Sequence, residues 1–211
     1  MVRAILDCRK TQTRRLVKPQ PFVDVKWGLT WEPKSPRLGP SYTERNVNWN
    51  PITNAFLDFY RDRGGSPYGQ PGDRLWCKET FRFDGIDHRV GMAERRKDDL
   101  SFRADMEADR SVNDCPWRPS IFMPRWASRI TLEITDVNVE RLQEISEADA
   151  KAEGIHKPAG SQFWYADPRE NVLPSMSPVG GYWNLWNSIN GPGSWDANPW
   201  VWCISFRRLE K

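Results

Sequence analysis

The opening run MVRAILDCRKTQTRRLVK, Met1 to Lys18, changes its period partway along, and that change sets the fold class. Val2, Ile5 and Leu6 recur at helical spacing and predict a short amphipathic helix. From Thr11 the helical period is lost. TQTRRLVK then reads as a turn entering a strand, which Pro19 and Pro21 end. Around this junction Arg9, Lys10, Arg14 and Arg15 crowd positive charge beside Thr11 and Thr13. Such a patch can grip phosphate, carry a reaction, or be nothing more than a solvated helix end.

The remaining sequence supplies mostly strands. In PGDRLWCKETFRF, Pro71-Gly72-Asp73 makes a turn, and Leu75, Cys77, Glu79 and Phe81 then alternate with polar neighbours, predicting one strand. DDLSFRADM predicts a second, with Leu100, Phe102 and Ala104 on one face. SRITLEITDVNVERL predicts a third, whose apolar set Ile130, Leu132, Ile134 and Val137 slips phase at a bulge near Asp136. ISEADAKAEGI is a short helix with Ser146 as N-cap, Asp149 completing the cap and Gly154 just past its end. GGYWNLWNSING predicts another, carrying Trp183, Leu185, Trp186 and Ile189. NPWVWCISFRRL closes the chain as a strand with Trp200, Trp202, Ile204 and Phe206 on one face. The expected class is α+β, mainly β: a small antiparallel barrel or curled sheet with short flanking helices. Two long loop insertions interrupt it, at about 22–68 and 156–178. Within the first, ITNAFLDFYRDRG suggests a helical turn or two.

Composition narrows the function classes. A chain of 211 residues holds one sizeable core, and the expectation is a single domain over 1–211. With 12 Trp, 9 Phe and 5 Tyr the chain is too aromatic to be disordered, although apolar residues make up 38%. The net charge of +3 excludes a polycation that wraps nucleic acid wholesale, so any electrostatic grip has to be local. Cys8, Cys77, Cys115 and Cys203 lie far apart, and neither His88 nor His156 neighbours a cysteine, which argues against zinc. No phosphate-binding glycine loop, G-x-S-x-G or H-E-x-x-H occurs, so neither cofactor nor metal is expected. No apolar run or leader suggests a membrane span or export, and a reduced cytoplasmic protein is the default.

Three constellations have chemical potential. Lys10 and Thr13 are three apart and share a face if a turn persists between them; a neutral lysine beside a threonine hydroxyl is a base and nucleophile. Two carboxylates are candidate partners: Glu153 at the end of its short helix, and Glu79, which falls among apolar positions where a lone carboxylate is costly. The segment PWRPSIFMPRWASR interleaves Arg118, Arg125 and Arg129 with Trp117, Phe122 and Trp126, the pairing of stacking surface and guanidinium that holds single-stranded nucleic acid.

The run ILDCRKTQTRR resembles the signature of the ASCH domains, an apolar helix followed by Gly-Arg-Lys-Thr-x-Thr-x-Arg. PGDRLWCKETF is similar to the strand entry that follows there, ISEADAKAEGI to the short helix ending in Glu, and NPWVWCISFRRL to the closing strand. The likeness is greatest to the longer ASCH proteins often carried by phages and prophages. It implies a PUA-like barrel, related to RNA-binding PUA and modified-base-reading EVE domains. Some small ASCH proteins are amidohydrolases that deacetylate N4-acetylcytidine, and others have been linked to RNA binding or cleavage. In the hydrolases the working residues are the signature lysine, the second threonine and the helix glutamate, which correspond to Lys10, Thr13 and Glu153. Cys8 stands where the signature has glycine; a left-handed backbone at that point would make its Cβ cost about 1 kcal/mol.

The resemblance implies a nucleic-acid- or nucleobase-binding protein with a cleft at the barrel mouth. In the hydrolase form Lys10, Thr13 and Glu153 are catalytic. Arg9, Arg14, Arg15, Trp76, Glu79, Arg125, Trp126 and Arg129 are expected to bind the substrate or strand. The expected partners are RNA, single-stranded nucleic acid or a modified nucleoside. The competing expectations are a non-catalytic RNA or modified-base module, a ribonuclease, and a phage assembly protein with a vestigial cleft.

Overall fold

The computed structural model describes residues 2–18, 20, 22–24, 28–30, 66–83, 99–106, 116–166 and 172–209. In chain order its elements are helix α1 (Val2–Leu6), strands β1 (Gln12–Leu16), β2 (Phe22–Asp24) and β3 (Gly28–Thr30), then β4 (Arg74–Trp76), β5 (Phe81–Phe83) and β6 (Leu100–Phe102). After these come strand β7 (Thr131–Arg141), helices α2 (Glu147–Ala152) and α3 (Pro178–Asn190), and strand β8 (Trp200–Leu209). The main sheet is antiparallel in the order β1-β8-β7-β4 and curls on itself, while β2–β3 and β5–β6 form separate two-stranded ribbons. The architecture is therefore mixed α and β around a curled antiparallel sheet.

β8 sits centrally because its sequence is apolar on both faces. Val201 and Cys203 pack with Leu142, Tyr182, Leu185 and Trp186 on one side. Trp200, Trp202 and Ile204 pack with Val17, Ile134 and Val139 on the other. Phe206 joins Ile5, Ile130 and Leu132 in a third cluster under α1. β7, the long partner of β8, shifts register between Ile134 and Asp136, where the sequence alternation slips.

Two strand expectations are corrected, and the helix expected over GGYWNLWNSING starts earlier. PGDRLWCKETFRF is not one strand: β4 pairs with β7, whereas β5 pairs with β6 in a different ribbon. The chain leaves the main sheet after Cys77, whose N–H still reaches the carbonyl of Ile130, and rejoins a ladder when Phe81 bridges Arg118. The strand expected over DDLSFRADM stops at Phe102, and Arg103–Asp105, including Ala104, coil into a 3-10 turn. In α3 the buried stripe is Tyr182, Leu185 and Trp186; Trp183 and Ile189 are exposed. α3 also begins at Pro178, inside the second expected insertion, with Ser177 accepting from the Gly180 N–H as N-cap.

Among the described residues of that insertion two isolated bridges occur, His156 to Tyr165 and Trp164 to Ser175. Trp164, Ala166 and Val172 lie against the Tyr182–Trp186 cluster, so this part of the insertion thickens the core. Of the first insertion, β2 and β3 pair as a hairpin. The helical reading of ITNAFLDFYRDRG, together with His88 and Cys115, lies outside the described residues. Among the described residues no helix is long and apolar enough to cross a membrane, and no cluster of His, Cys, Asp and Glu could hold a metal.

Candidate functional site

Two turns that are distant in sequence meet to build the site. After α1 the chain reverses at Cys8, whose φ of 55° is left-handed, and the N–H groups of Arg9 and Lys10 both return to the Ala4 carbonyl at 2.8 Å. α2 starts as its sequence predicts: Ser146 and Asp149 form a reciprocal capping box. It ends at Glu153, and Gly154 turns the chain with φ +102°. A Cβ on Gly154 would lie 3.1 Å from the Ala4 Cβ and 3.4 Å from the Lys10 Cβ. Glycine therefore supplies both the backbone conformation and the close approach of α2 to the basic loop.

This contact explains much of the charge in the opening run. The last carbonyls of α2 lack partners within the helix, and the loop supplies them. The Thr11 N–H donates to Ala152 at 2.8 Å, Lys10 Nζ to the Glu153 carbonyl at 2.8 Å, and Arg9 to the Gly154 carbonyl at 3.4 Å. Cations at a helix C-terminus are also favoured by its dipole. Arg9 additionally pairs with Asp7 at 2.9 Å. Arg9, expected to bind ligand, is not among the cleft residues and makes these contacts instead.

Glu153 is the centre of the buried part, at 2% exposure. Lys10 Nζ donates to its Oε2 at 2.5 Å. Its Oε1 faces the Tyr182 hydroxyl at 3.4 Å and the Arg14 guanidinium at 3.5 Å. Arg14 is itself enclosed: it donates to Glu140 Oε1 at 2.9 and 2.6 Å and to Gln12 Oε1 at 2.7 Å, and stands 3.6 Å from Asp149. Arg14, expected to bind ligand, lines the cleft, but its guanidinium is buried and engaged by these partners. Burial first, and then the charge of Glu153, push the Tyr182 phenol well above its ordinary value, so Tyr182 stays protonated and donates. Burial also pushes Cys203, beside Arg14, up.

Lys10, Thr13 and Glu153 line one cleft of about 680 Å³. The cleft draws on both edge strands of the curled sheet, with Thr13, Arg14 and Arg15 from β1 and Leu75 and Trp76 from β4. Tyr182, Leu185 and Trp186 of α3 and Val2 and Ile5 of α1 complete it. Strand alternation sends Arg14 to the α3 side and Thr13 and Arg15 to the other. Lys10 precedes β1, so that alternation does not govern its direction. Among the described residues the Thr13 side chain makes no hydrogen bond. Cys77 also lines the cleft, but burial, aided by the charge of Glu79, pushes its thiol to about 11. It stays a neutral thiol near neutrality and is a poor nucleophile.

The other expected binding residues divide. Trp76 lines the cleft, with Lys78 Nζ 5.3 Å and Arg125 Cζ 5.6 Å from its ring centroid. Arg125, Trp126, Arg129 and Glu79 are not among the cleft residues. Glu79 is buried and gripped by Arg129 through two hydrogen bonds, of 3.0 and 2.9 Å, and Arg129 also holds Asp105. That pair answers the desolvation problem posed by a carboxylate at an apolar position. Trp126 packs on Phe83 at 6.3 Å. Sequence reasoning missed Tyr182, Glu140, Lys18 and Lys78. Tyr182 had a signal, its place one turn before Trp186 on the buried stripe. Nothing in the sequence shows that Glu140 reaches Arg14.

No protein-family model, curated protein or solved structure matches this chain.

Proposed function

We propose that this chain is an ASCH-type protein with a PUA-like barrel, which takes a nucleobase into the cleft and hydrolyses an amide on it, as in an N4-acylated cytidine. The observation that carries this reading is that Lys10 and Thr13, three apart in sequence, line one cleft with the distant Glu153. The proposed proton sequence starts from one contact, that of Lys10 with Glu153. Lys10 Nζ passes a proton to Glu153 Oε2, 2.5 Å away, leaving an amine and a carboxylic acid. The amine takes the Thr13 hydroxyl proton as Oγ1 attacks the acyl carbon. The tetrahedral intermediate expels the exocyclic nitrogen, which Glu153 protonates, and water then releases the acyl group from Thr13. Tyr182 and Arg14 hold the second oxygen of Glu153 throughout and act as positioning residues. RNA or a modified nucleoside is the ligand class, and the setting is cytoplasmic.

A second reading, a binding module without turnover, draws support from the same ion pair. Lys10 donates to two atoms of Glu153, its carbonyl and Oε2, so its amine is turned to holding the helix end and not towards Thr13. One assay separates the two readings: N4-acetylcytidine, offered free and within a short RNA, is incubated with the protein, and release of acetate and of unmodified cytidine is followed. Turnover that falls by at least a hundredfold in Lys10→Ala and Thr13→Ala supports the hydrolase. Binding without turnover supports the module, and shortened RNA supports a ribonuclease.

A further inference from the structure

Five basic side chains line the cleft, Lys10, Arg14, Arg15, Lys18 and Lys78, against one carboxylate, Glu153, among the described residues. Lys10 and Arg14 are committed to Glu153 and Glu140. The other three are not ion-paired. Arg15 and Lys18 are exposed and make no hydrogen bond or ion pair among the described residues. Lys78 Nζ donates to the Ile121 carbonyl at 3.2 Å and lies over Trp76, so it is positioned, yet no carboxylate among the described residues pairs with it. Arg125 lies over the same indole. Arg15 lies on β1 with Lys18 just past its end, and Lys78 lies just past β4; these strands are the two edges of the main sheet, so the three cations line the cleft from both edges.

Unneutralised cations beside a low-dielectric cleft concentrate potential there, and the complementary ligand is an anion. A neutral nucleoside leaves all three unsatisfied. We propose that the cleft selects a phosphorylated ligand, a nucleotide whose phosphate is held by Arg15, Lys18 and Lys78 while its base lies towards Thr13 and Glu153. This assignment rests on the nucleobase reading above for the base, but not for the phosphate. The phosphate comes either from a mononucleotide or from the backbone of a single strand, and both present the same chemistry to the three cations.

The test is calorimetric titration of the whole chain with cytidine, cytidine 5′-monophosphate, a short oligocytidine and ribose 5-phosphate, repeated with Arg15→Gln/Lys18→Gln. Neither side chain makes a hydrogen bond or ion pair among the described residues, so the double variant is expected to keep the fold, and its unfolding midpoint verifies this. The expected result is that the monophosphate or the oligomer binds at least tenfold tighter than cytidine, and that the double variant erases most of the difference. If the oligomer alone gains, and its salt slope falls by about 0.7 for each phosphate contact removed, the source is a strand. A gain by the monophosphate identifies a mononucleotide. Equal affinity for cytidine and its monophosphate, with no gain for the oligomer, overturns the proposal and leaves the nucleobase reading standing. Ribose 5-phosphate binding as tightly as the nucleotide supports the phosphate site and overturns the nucleobase reading. Absence of all binding overturns both.

Discussion

Cys8 holds a left-handed backbone, φ 55°, at the turn where α1 gives way to the basic loop. An L-residue is strained there and glycine is not. Cys8→Gly is therefore expected to stabilise the protein by about 1 kcal/mol, read from the midpoint of a denaturant titration at unchanged slope. A variant equal to or weaker than the parent would show that the exposed thiol makes up the difference in some other way. The sequence raised this conformation only as a condition, through the glycine of the signature it resembles, and the backbone at Cys8 meets that condition. The fate of the neighbouring charges was not. Arg9 and Lys10 satisfy carbonyls of a helix more than 140 positions away, at separations |i−j| of 145 and 143.

α2 is short, and its two ends do different work. Its N-terminal capping box is local chemistry, so the sequence predicted it directly: the Ser146 hydroxyl accepts from the Asp149 N–H at 3.1 Å and donates to Oδ2 at 2.6 Å. Burial alone would raise the Asp149 carboxyl, but the Ser146 hydrogen bonds and the charge of Arg14 hold it below its usual value. A carboxyl depressed by folding stabilises fully above its unfolded value of about 4, and that contribution fades as pH falls through the lower folded value. Ser146→Ala should cost about 1 kcal/mol at pH 7 and less at pH 3, measured by denaturation at both values. A pH-independent cost would mean that the carboxylate contributes nothing to the cap. The C-terminal end is a tertiary feature. Glu153 is ordinary in sequence, as is any glutamate on a short helix, and it becomes the centre of a buried network when Gly154 presses it against α1 and Lys10.

The curled sheet turns on β8, whose two faces enter different clusters. Val201→Ala and Ile204→Ala, on opposite faces, should cost roughly 2 kcal/mol and about 2–5 kcal/mol respectively. The pair should add to within about 0.5 kcal/mol in equilibrium unfolding, since their neighbours differ. A negligible loss at either site would mean that its face is not core. The strands with a strong apolar period, β7 and β8, and the capped helix α2 were readable from sequence because period and capping are local properties. PGDRLWCKETFRF misled because alternation records which side a residue faces and not which ladder its backbone joins, so one pattern was split between two sheets. Glu79 misled for a related reason: its burial was foreseeable, whereas its partner Arg129, with |i−j| of 50, was a matter of packing. The opening run determined its own helix, turn and strand and supplied the cations. Folding decided their use, because an ion pair depends on distances through space that no local pattern encodes. It set Lys10 and Arg14 against carboxylates and left Arg15 and Lys18 facing the cleft without them.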